Sequence, residues 1–246
     1  MILDIDAGNT RIKWRFVNAD NRVVMHGASY SVIDIERAVP MIHSIDRARI
    51  ASVRDQEKTQ GIQQWVQRRW EIEAELATVK TEQAGVRNAY TDVQKMGVDR
   101  WLSILAAFNQ SESRCCVINA GTALTVDLIE ESGQHVGGYI VPGLQLQRRA
   151  LVQNTSILLS EVTQWAREWS LDKPGTSTED AVNHGIYAMV MSWLLSLPGL
   201  RNTVAVNGLY IAGGDSAIIS EGLQAHGVAH SCEHDLVLKG LVWALP

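Results

Sequence analysis

The sequence predicts two similar α/β domains in tandem, and three observations carry that prediction. A strand–turn–strand–turn–strand–helix order occurs twice along the chain. Asp6-Ala7-Gly8-Asn9-Thr10 and Asn119-Ala120-Gly121-Thr122-Ala123 occupy the same place in each copy, after the first strand. A polar stretch, Asn109-Gln110-Ser111-Glu112-Ser113-Arg114, separates the copies. One supersecondary block used twice accounts for all three, with domains expected over residues 1–112 and 113–246.

In the first copy, Ile2 to Asp6 reads as a short apolar strand that ends on an acid, followed by a Gly8-Asn9-Thr10 turn. Ile12 to Val17 alternates apolar and polar residues with the period of a strand. Asp20-Asn21 makes the next turn, and a third strand is expected from Arg22 to Tyr30. A helix is expected from Ile33 to Ile42, a buried strand from Arg49 to Val53 and another strand from Glu75 to Val79. Between those strands, Ile62, Trp65, Val66 and Trp70 recur at helical spacing within 56–70. Residues 88–97 are polar and turn-like. From Val98, the residues Trp101, Leu102, Ile104, Leu105 and Phe108 mark a buried helix.

The opening pattern then returns. Strands are expected over Cys115–Ile118, Leu124–Ile129 and Gly137–Val141, with turns at Ala120-Gly121-Thr122 and Ser132-Gly133. Helices are expected over Leu144–Gln153 and Asp180–Leu197. A late strand, Leu209 to Ala212, runs into Gly213-Gly214-Asp215, and helices near 216–225 and 236–244 close the chain. The tryptophans, Trp65, Trp70, Trp101, Trp165, Trp169 and Trp193 among them, are read as core or subunit-interface residues.

Composition narrows the function. The chain has 246 residues, 46% of them hydrophobic and 20% charged, which suits a packed globular protein and excludes a disordered or collagen-like one. Its net charge of −5 gives no bulk attraction to nucleic acid or to an anionic membrane. Three cysteines without CxxC or Cys/His spacing fit neither a disulfide framework nor zinc. They are read as buried free thiols. The acidic N-terminus lacks the features of a signal peptide, and no apolar run reaches the roughly 20 residues of a membrane span. A cytoplasmic protein is expected.

The repeated turn carries the chemistry. A glycine after a strand lets backbone approach a ligand closely, and successive N–H groups in such a turn form an anion-binding concavity. Asn9 and Thr10 add side-chain donors, Lys13 lies on the next strand, and Asp6 at the strand end suits a hydrated Mg²⁺. A single copy reads equally as an ordinary hairpin with a turn-favouring Gly-Asn pair. Two copies plus the Gly213-Gly214-Asp215 turn favour a nucleotide clamp. Neither a Walker loop nor a GxGxxG fingerprint is present. In Gly97-Val98-Asp99-Arg100 an aspartate opens a helix, where it serves either as a proton acceptor or as a favourable charge at the helix dipole.

Asp6-x-Gly8-Asn9-Thr10-x-x-Lys13, Gly97-x-Asp99-Arg100-Trp101, Gly121-Thr122-Ala123-x-Thr125-x-Asp127, Gly137-Gly138-x-Ile140-x-Pro142-Gly143 and Gly213-Gly214-Asp215 occur in this order. Together they resemble the type III pantothenate kinases, also called the Bvg accessory factor family. The resemblance implies the acetate and sugar kinase/Hsp70/actin fold, with two ribonuclease-H-like domains and nucleotide in the cleft between them. It implies ATP-dependent phosphorylation of pantothenate, the first step toward coenzyme A, by a homodimer that uses Mg²⁺ and a monovalent cation, K⁺ or NH₄⁺. Asp6 would position the metal, with Asn119 as a second metal-site residue. Gly8, Asn9, Thr10, Lys13, Gly121, Thr122, Ala123, Gly213 and Gly214 would form the ATP site. Asp99 would be the base. Gly97, Val98, Arg100 and Tyr90 would bind pantothenate, with Thr178 reaching it from the partner subunit.

Two positions depart from the family pattern. Asn119 stands where an acid is common, and Val93 takes the place of a proline between Tyr90 and Gly97, which implies a less rigid pocket loop. Two other readings keep the fold: a kinase for a different small hydroxyl acceptor, and an ATP-binding regulator without turnover. Acceptor competition separates the first; intact Asp6, Lys13, Asp99 and Arg100 argue against the second.

Overall fold

A computed structural model describes residues 1–40, 42–111, 113–159, 173–197, 200 and 208–246. Trp165 and Trp169 lie outside the described residues. In chain order the helices are α1 (Val32–Ala38), α2 (Gln56–Trp70), α3 (Val98–Ser111), α4 (Leu144–Asn154), α5 (Thr178–Ser196), α6 (Ser216–Ala225) and α7 (Leu236–Ala244). The chain forms two compact units, Met1–Glu112 with Ser132–His135 and Asp235–Pro246, and Ser113–Glu131 with Val136–His234.

In the first unit, β1 (Ile2–Ala7), β2 (Ile12–Val17), β3 (Val23–Ser29), β4 (Arg47–Ser52) and β5 (Ala74–Leu76) make one sheet in the order β3-β2-β1-β4-β5. The β1–β2 and β2–β3 pairs are antiparallel, and the β1–β4 and β4–β5 pairs are parallel. Strand alternation sorts the two faces. Leu3, Ile5 and Ala7 enter a core with Ile35 of α1 and Ile62, Trp65, Val66 and Trp70 of α2.

Asp4 points the other way. Its buried carboxylate accepts from Arg15 Nε at 2.9 Å and Arg49 Nε at 2.7 Å. The same guanidinium groups donate to the carbonyls of Leu238, at 2.8 Å, and Leu245, at 3.1 Å. Two buried cations are thus satisfied by one carboxylate and by backbone of the last helix. That helix, α7, packs along α3 and against β1 and β4. Their approach requires Gly240, because a Cβ there would lie 2.1 Å from the Leu102 carbonyl oxygen.

This packing explains the main difference from the sequence reading. A cut at 112/113 leaves residues 132–135 and 235–246 with the second half, whereas both segments pack with the first. Long-range burial decides it, and local pattern does not carry that information. The first helix is also shorter than expected. A capping box between Ser31 and Asp34 starts it, and Pro40 disfavours helical backbone at Val39. A small hairpin, β6 (Glu82–Gln83) and β7 (Val86–Arg87), precedes the expected turn-like stretch 88–97, which itself holds a 3-10 turn over Val93–Lys95.

In the second unit, β8 (Cys115–Ala120), β9 (Ala123–Ile129), β10 (His135–Pro142), β11 (Leu209–Ala212) and β12 (Ser231–Cys232) repeat the arrangement in the order β10-β9-β8-β11-β12. Cys116, Ile118, Leu124, Val126 and Ile211 meet Tyr187, Met191 and Leu194 of α5 and Leu223 of α6 in its core. Cys115 and Cys116 are buried as expected, but Cys232 is exposed, because β12 is a two-residue edge strand. No described helix is long and apolar enough to cross a membrane.

Candidate active site

Each half of the expected site is assembled within its own unit. In the first, β1 delivers Asp6 to its end, and the antiparallel register sets Lys13 directly across from it. The turn that follows is exposed at Asn9 and Thr10. Arg54, just past β4, donates from Nε to the Gly8 carbonyl at 2.8 Å and so ties the turn to the neighbouring strand. Asp6 is half-buried, and its pKa is pushed up to about 7. Burial is the main cause; Lys13 opposes it, Asp99 and Asp235 add to it, and Arg54 opposes it. An acid held close to neutrality by burial and by two further acids is a place where a hard cation relieves strain in the electrostatics.

Asp99 stands in the first turn of α3 and accepts a hydrogen bond from the Arg100 N–H at 2.8 Å. Gly97 leaves room for that carboxylate, since a Cβ at 97 would meet Asp99 Oδ1 at 2.6 Å. Arg100 is buried, and its Nη1 donates to the Tyr90 hydroxyl at 2.8 Å, with the guanidinium 5.6 Å from the centre of the Tyr90 ring. Tyr90, Gly97, Val98, Asp99 and Arg100 therefore belong to one continuous feature. A polar cleft of about 390 Å³ adjoins it, lined in part by Arg54, Lys95, Gly97 and Val98. The loop lacking a proline is held by other means. Asn88 Oδ1 accepts from the Tyr90 N–H at 2.9 Å, and Asp92 caps the 3-10 turn that begins at Val93.

In the second unit, two turns converge on the Ala120-Gly121-Thr122 loop. The Gly143 N–H donates to the Thr122 carbonyl at 2.9 Å and the Asp215 N–H to the Ala120 carbonyl at 3.0 Å. Glycine is required at the contact. A Cβ at Gly213, whose φ is +102°, would lie 2.2 Å from the Ala120 oxygen, and one at Gly143 would lie 2.1 Å from the Gly121 oxygen. Asp215 is half-buried, and burial raises its pKa. Asn119 sits at the end of β8, paired across the sheet with Thr125. The register makes this pair the counterpart of Asp6 and Lys13 in the first unit. Thr125 is buried, and its Oγ1 has no hydrogen-bond partner among the described residues. Thr178 is exposed at the first position of α5, which begins at the Ser177 cap; next to it Glu179 pairs with Arg148 of α4 at 2.6 Å.

The sequence reading named Asp215 only as part of a turn motif and missed Arg54 and Asp235, along with His135, which stacks on Tyr90. Arg54, Asp235 and His135 arrive by long-range packing, and only Asp215 had a local signal, as the end of the Gly-Gly-Asp turn.

The chain shares its features with known proteins. The family profile of type III pantothenate kinase matches residues 2–196. A type III pantothenate kinase of Pseudomonas putida is 34% identical over 259 aligned residues, which cover 100% of this chain and 99% of that protein. A crystal structure from Campylobacter jejuni, named for a Baf family transcriptional activator, superposes with a TM-score of 0.60 at 20% identity, covering 98% of this chain and 95% of that one. The activator of 2-hydroxyisocaproyl-CoA dehydratase from Clostridium difficile, solved with bound ADPNP, gives a TM-score of 0.54 at 9% identity, covering 99% and 92%. These structural matches show the fold alone.

Proposed function

This chain belongs to the type III pantothenate kinase family, and from that premise we propose how its own residues carry out the reaction. It phosphorylates pantothenate with ATP, in the biosynthesis of coenzyme A. The observation that carries the residue assignment is the joining of Asp99 and Arg100 to Tyr90 at the mouth of α3.

Phosphoryl transfer asks a protein for charge neutralisation and in-line placement more than for covalent help. Asp99 accepts the proton of the primary hydroxyl of pantothenate. Its carboxylate is oriented by the Arg100 N–H, so the oxygen that accepts the proton is fixed before the acceptor arrives. Arg100 and the Tyr90 hydroxyl hold the remainder of the acceptor, with backbone of Gly97 and Val98 against it. Gly8, Asn9, Thr10 and Lys13 bind phosphate oxygens. Gly121, Thr122, Ala123, Gly213 and Gly214 bind the nucleotide.

Mg²⁺ would be held at Asp6, a half-buried hard oxygen donor at the end of β1 beside the phosphate-binding turn, and would supply charge neutralisation there. A monovalent cation fits the Asn119 end of β8, where the carbonyl oxygen of Asn119 and the unpartnered Thr125 Oγ1 are neutral donors. K⁺ and NH₄⁺ both suit such a site. A homodimer is supported by exposed apolar residues on the second unit, Tyr139 and Ile140 of β10, Leu146 of α4 and Met189 of α5. In that dimer Thr178 serves the partner's pantothenate site. The reaction is one of the cytoplasm.

A coupled assay of ADP release tests this reading, with ATP, Mg²⁺ and K⁺ or NH₄⁺, in the presence and absence of pantothenate. Pantothenate-dependent ADP formation is expected. Asp99→Asn should lower kcat by a factor on the order of 10² to 10⁴ while ATP still binds. Turnover near that of the wild type in Asp99→Asn would remove Asp99 from its role. Intact ATP binding with no stimulation by pantothenate under any cation would favour a different acceptor or a regulator without turnover.

A further inference from the structure

His135 begins β10, yet it packs with the first unit, beside the acceptor-binding residues. We propose that His135 is a positioning residue that fixes Tyr90 and thereby sets the selectivity of the pocket for its acceptor. The proposal rests on the reading of Tyr90, Asp99 and Arg100 as the pantothenate site.

The imidazole is fully buried and lies nearly parallel to the Tyr90 ring, 6.3 Å between centres and 17° between planes. Its Nδ1 accepts a hydrogen bond from the Ala89 N–H at 3.4 Å. Three successive amides of the loop are thereby fixed. The Asn88 N–H donates to the Thr81 carbonyl at 2.8 Å, Ala89 donates to His135, and Tyr90 donates to Asn88 Oδ1. The middle amide would lose its acceptor if His135 were absent, and the loop one of its three anchors.

The consequence reaches the substrate through the phenol. The Tyr90 oxygen already accepts from Arg100 Nη1, so its own proton is left to donate to a bound acceptor. The direction of that O–H follows from the plane of the ring, and the stacked imidazole holds that plane.

The tip that carries His135 is itself seated backbone to backbone. The Arg87 N–H donates to the Gly133 carbonyl at 2.9 Å, and Gln134 Nε2 donates to the Arg87 carbonyl at 3.3 Å. Gly133 has φ near +81°, and a Cβ there would lie 1.9 Å from the Gly85 oxygen. This seat joins the strand that leads directly into Asn88-Ala89-Tyr90.

Two variants separate the ring from its acceptor nitrogen. His135→Phe keeps a flat ring under Tyr90 and removes the acceptor; His135→Asn keeps an acceptor and removes the ring. Each should raise KM for pantothenate by about tenfold or more, with KM for ATP and kcat within about twofold. Melting temperatures measured alongside separate this from plain core packing. Unchanged KM for pantothenate in both variants would overturn the proposal. So would a fall in melting temperature accompanied by equal losses in both KM values and kcat, which is what a purely structural histidine predicts. A wild-type enzyme without pantothenate-dependent turnover would instead overturn the functional reading on which the proposal stands.

Discussion

Asp6 shows how one residue couples stability to protons. Its carboxyl titrates near 3.8 in an unfolded chain and at about 7 in the fold, chiefly because it is buried. Between those two values the folded state keeps a proton that the unfolded state has released. The stability contributed by this group is therefore greatest at the acidic end of the window and falls as pH rises through about 7. In the metal-free protein, the melting temperature should decline between pH 5 and pH 8, and Asp6→Asn should flatten that decline. Asp215 is raised by burial and contributes with the same sign, so the comparison of wild type with variant isolates Asp6. An equal slope in the two proteins would count against the burial of charge at Asp6. If Mg²⁺ is held at Asp6 as proposed, it competes there with a proton, so affinity for Mg²⁺ should also weaken as pH drops below about 7, and calorimetric titration at pH 6 and pH 8 checks this. Asp6, Lys13, Asp99 and Arg100 were singled out in the sequence as candidates because each sits in a recognisable motif, at a strand-end turn or at the start of a helix. Asp235, Arg54 and His135 were not, since nothing around them in the chain points to the partners they meet.

Among the elements, the glycines divide by what surrounds them. Gly213 holds a positive φ, +102°, and its absent Cβ is the room in which the Ala120 carbonyl lies. Gly213→Ala must displace backbone on both sides, so it should cost about 1–3 kcal/mol of stability and weaken ATP binding as the Gly121-Thr122 loop shifts. Gly61 is the contrasting case. It lies within α2, and a Cβ there would meet nothing within 4 Å. Gly61→Ala should raise stability by about 0.5–1 kcal/mol and leave ATP affinity alone. Urea unfolding and nucleotide titration of both variants check the pair, and similar effects at the two sites would refute the distinction. Element positions were legible where the period was strong. The alternation of residues 12–17 predicted β2 to the residue, and the spacing of Ile62, Trp65, Val66 and Trp70 marked α2. Short elements were not: β6, β7 and β12 have two residues each, too few for any period to show. Their pairing is fixed by the sheet or loop they join.

For the whole molecule, the repeat was visible in the sequence and the return of the chain was not. The two sheets share one strand order, as two copies of one block must. The return of α7 to the first unit depends on Asp4, Arg15 and Arg49, three residues on strands that otherwise read as ordinary alternation. Above the single chain, the homodimer and the service of Thr178 across it make one joint prediction. If Asp99 acts in its own subunit and Thr178 in the partner's, a mixed dimer of Asp99→Asn and Thr178→Ala subunits has unequal sites. One site carries both substitutions. The other carries neither, because the Thr178→Ala subunit supplies Asp99 and the Asp99→Asn subunit supplies Thr178. Random exchange of equal amounts yields mixed dimers in about half of the assemblies, so about a quarter of all sites should be fully wild type. Each variant alone should be weak, and mixing after subunit exchange should restore turnover toward that quarter. If Thr178 serves its own subunit, both sites of every mixed dimer are damaged and mixing restores nothing; the activity of the mixture then equals the mean of the two parents.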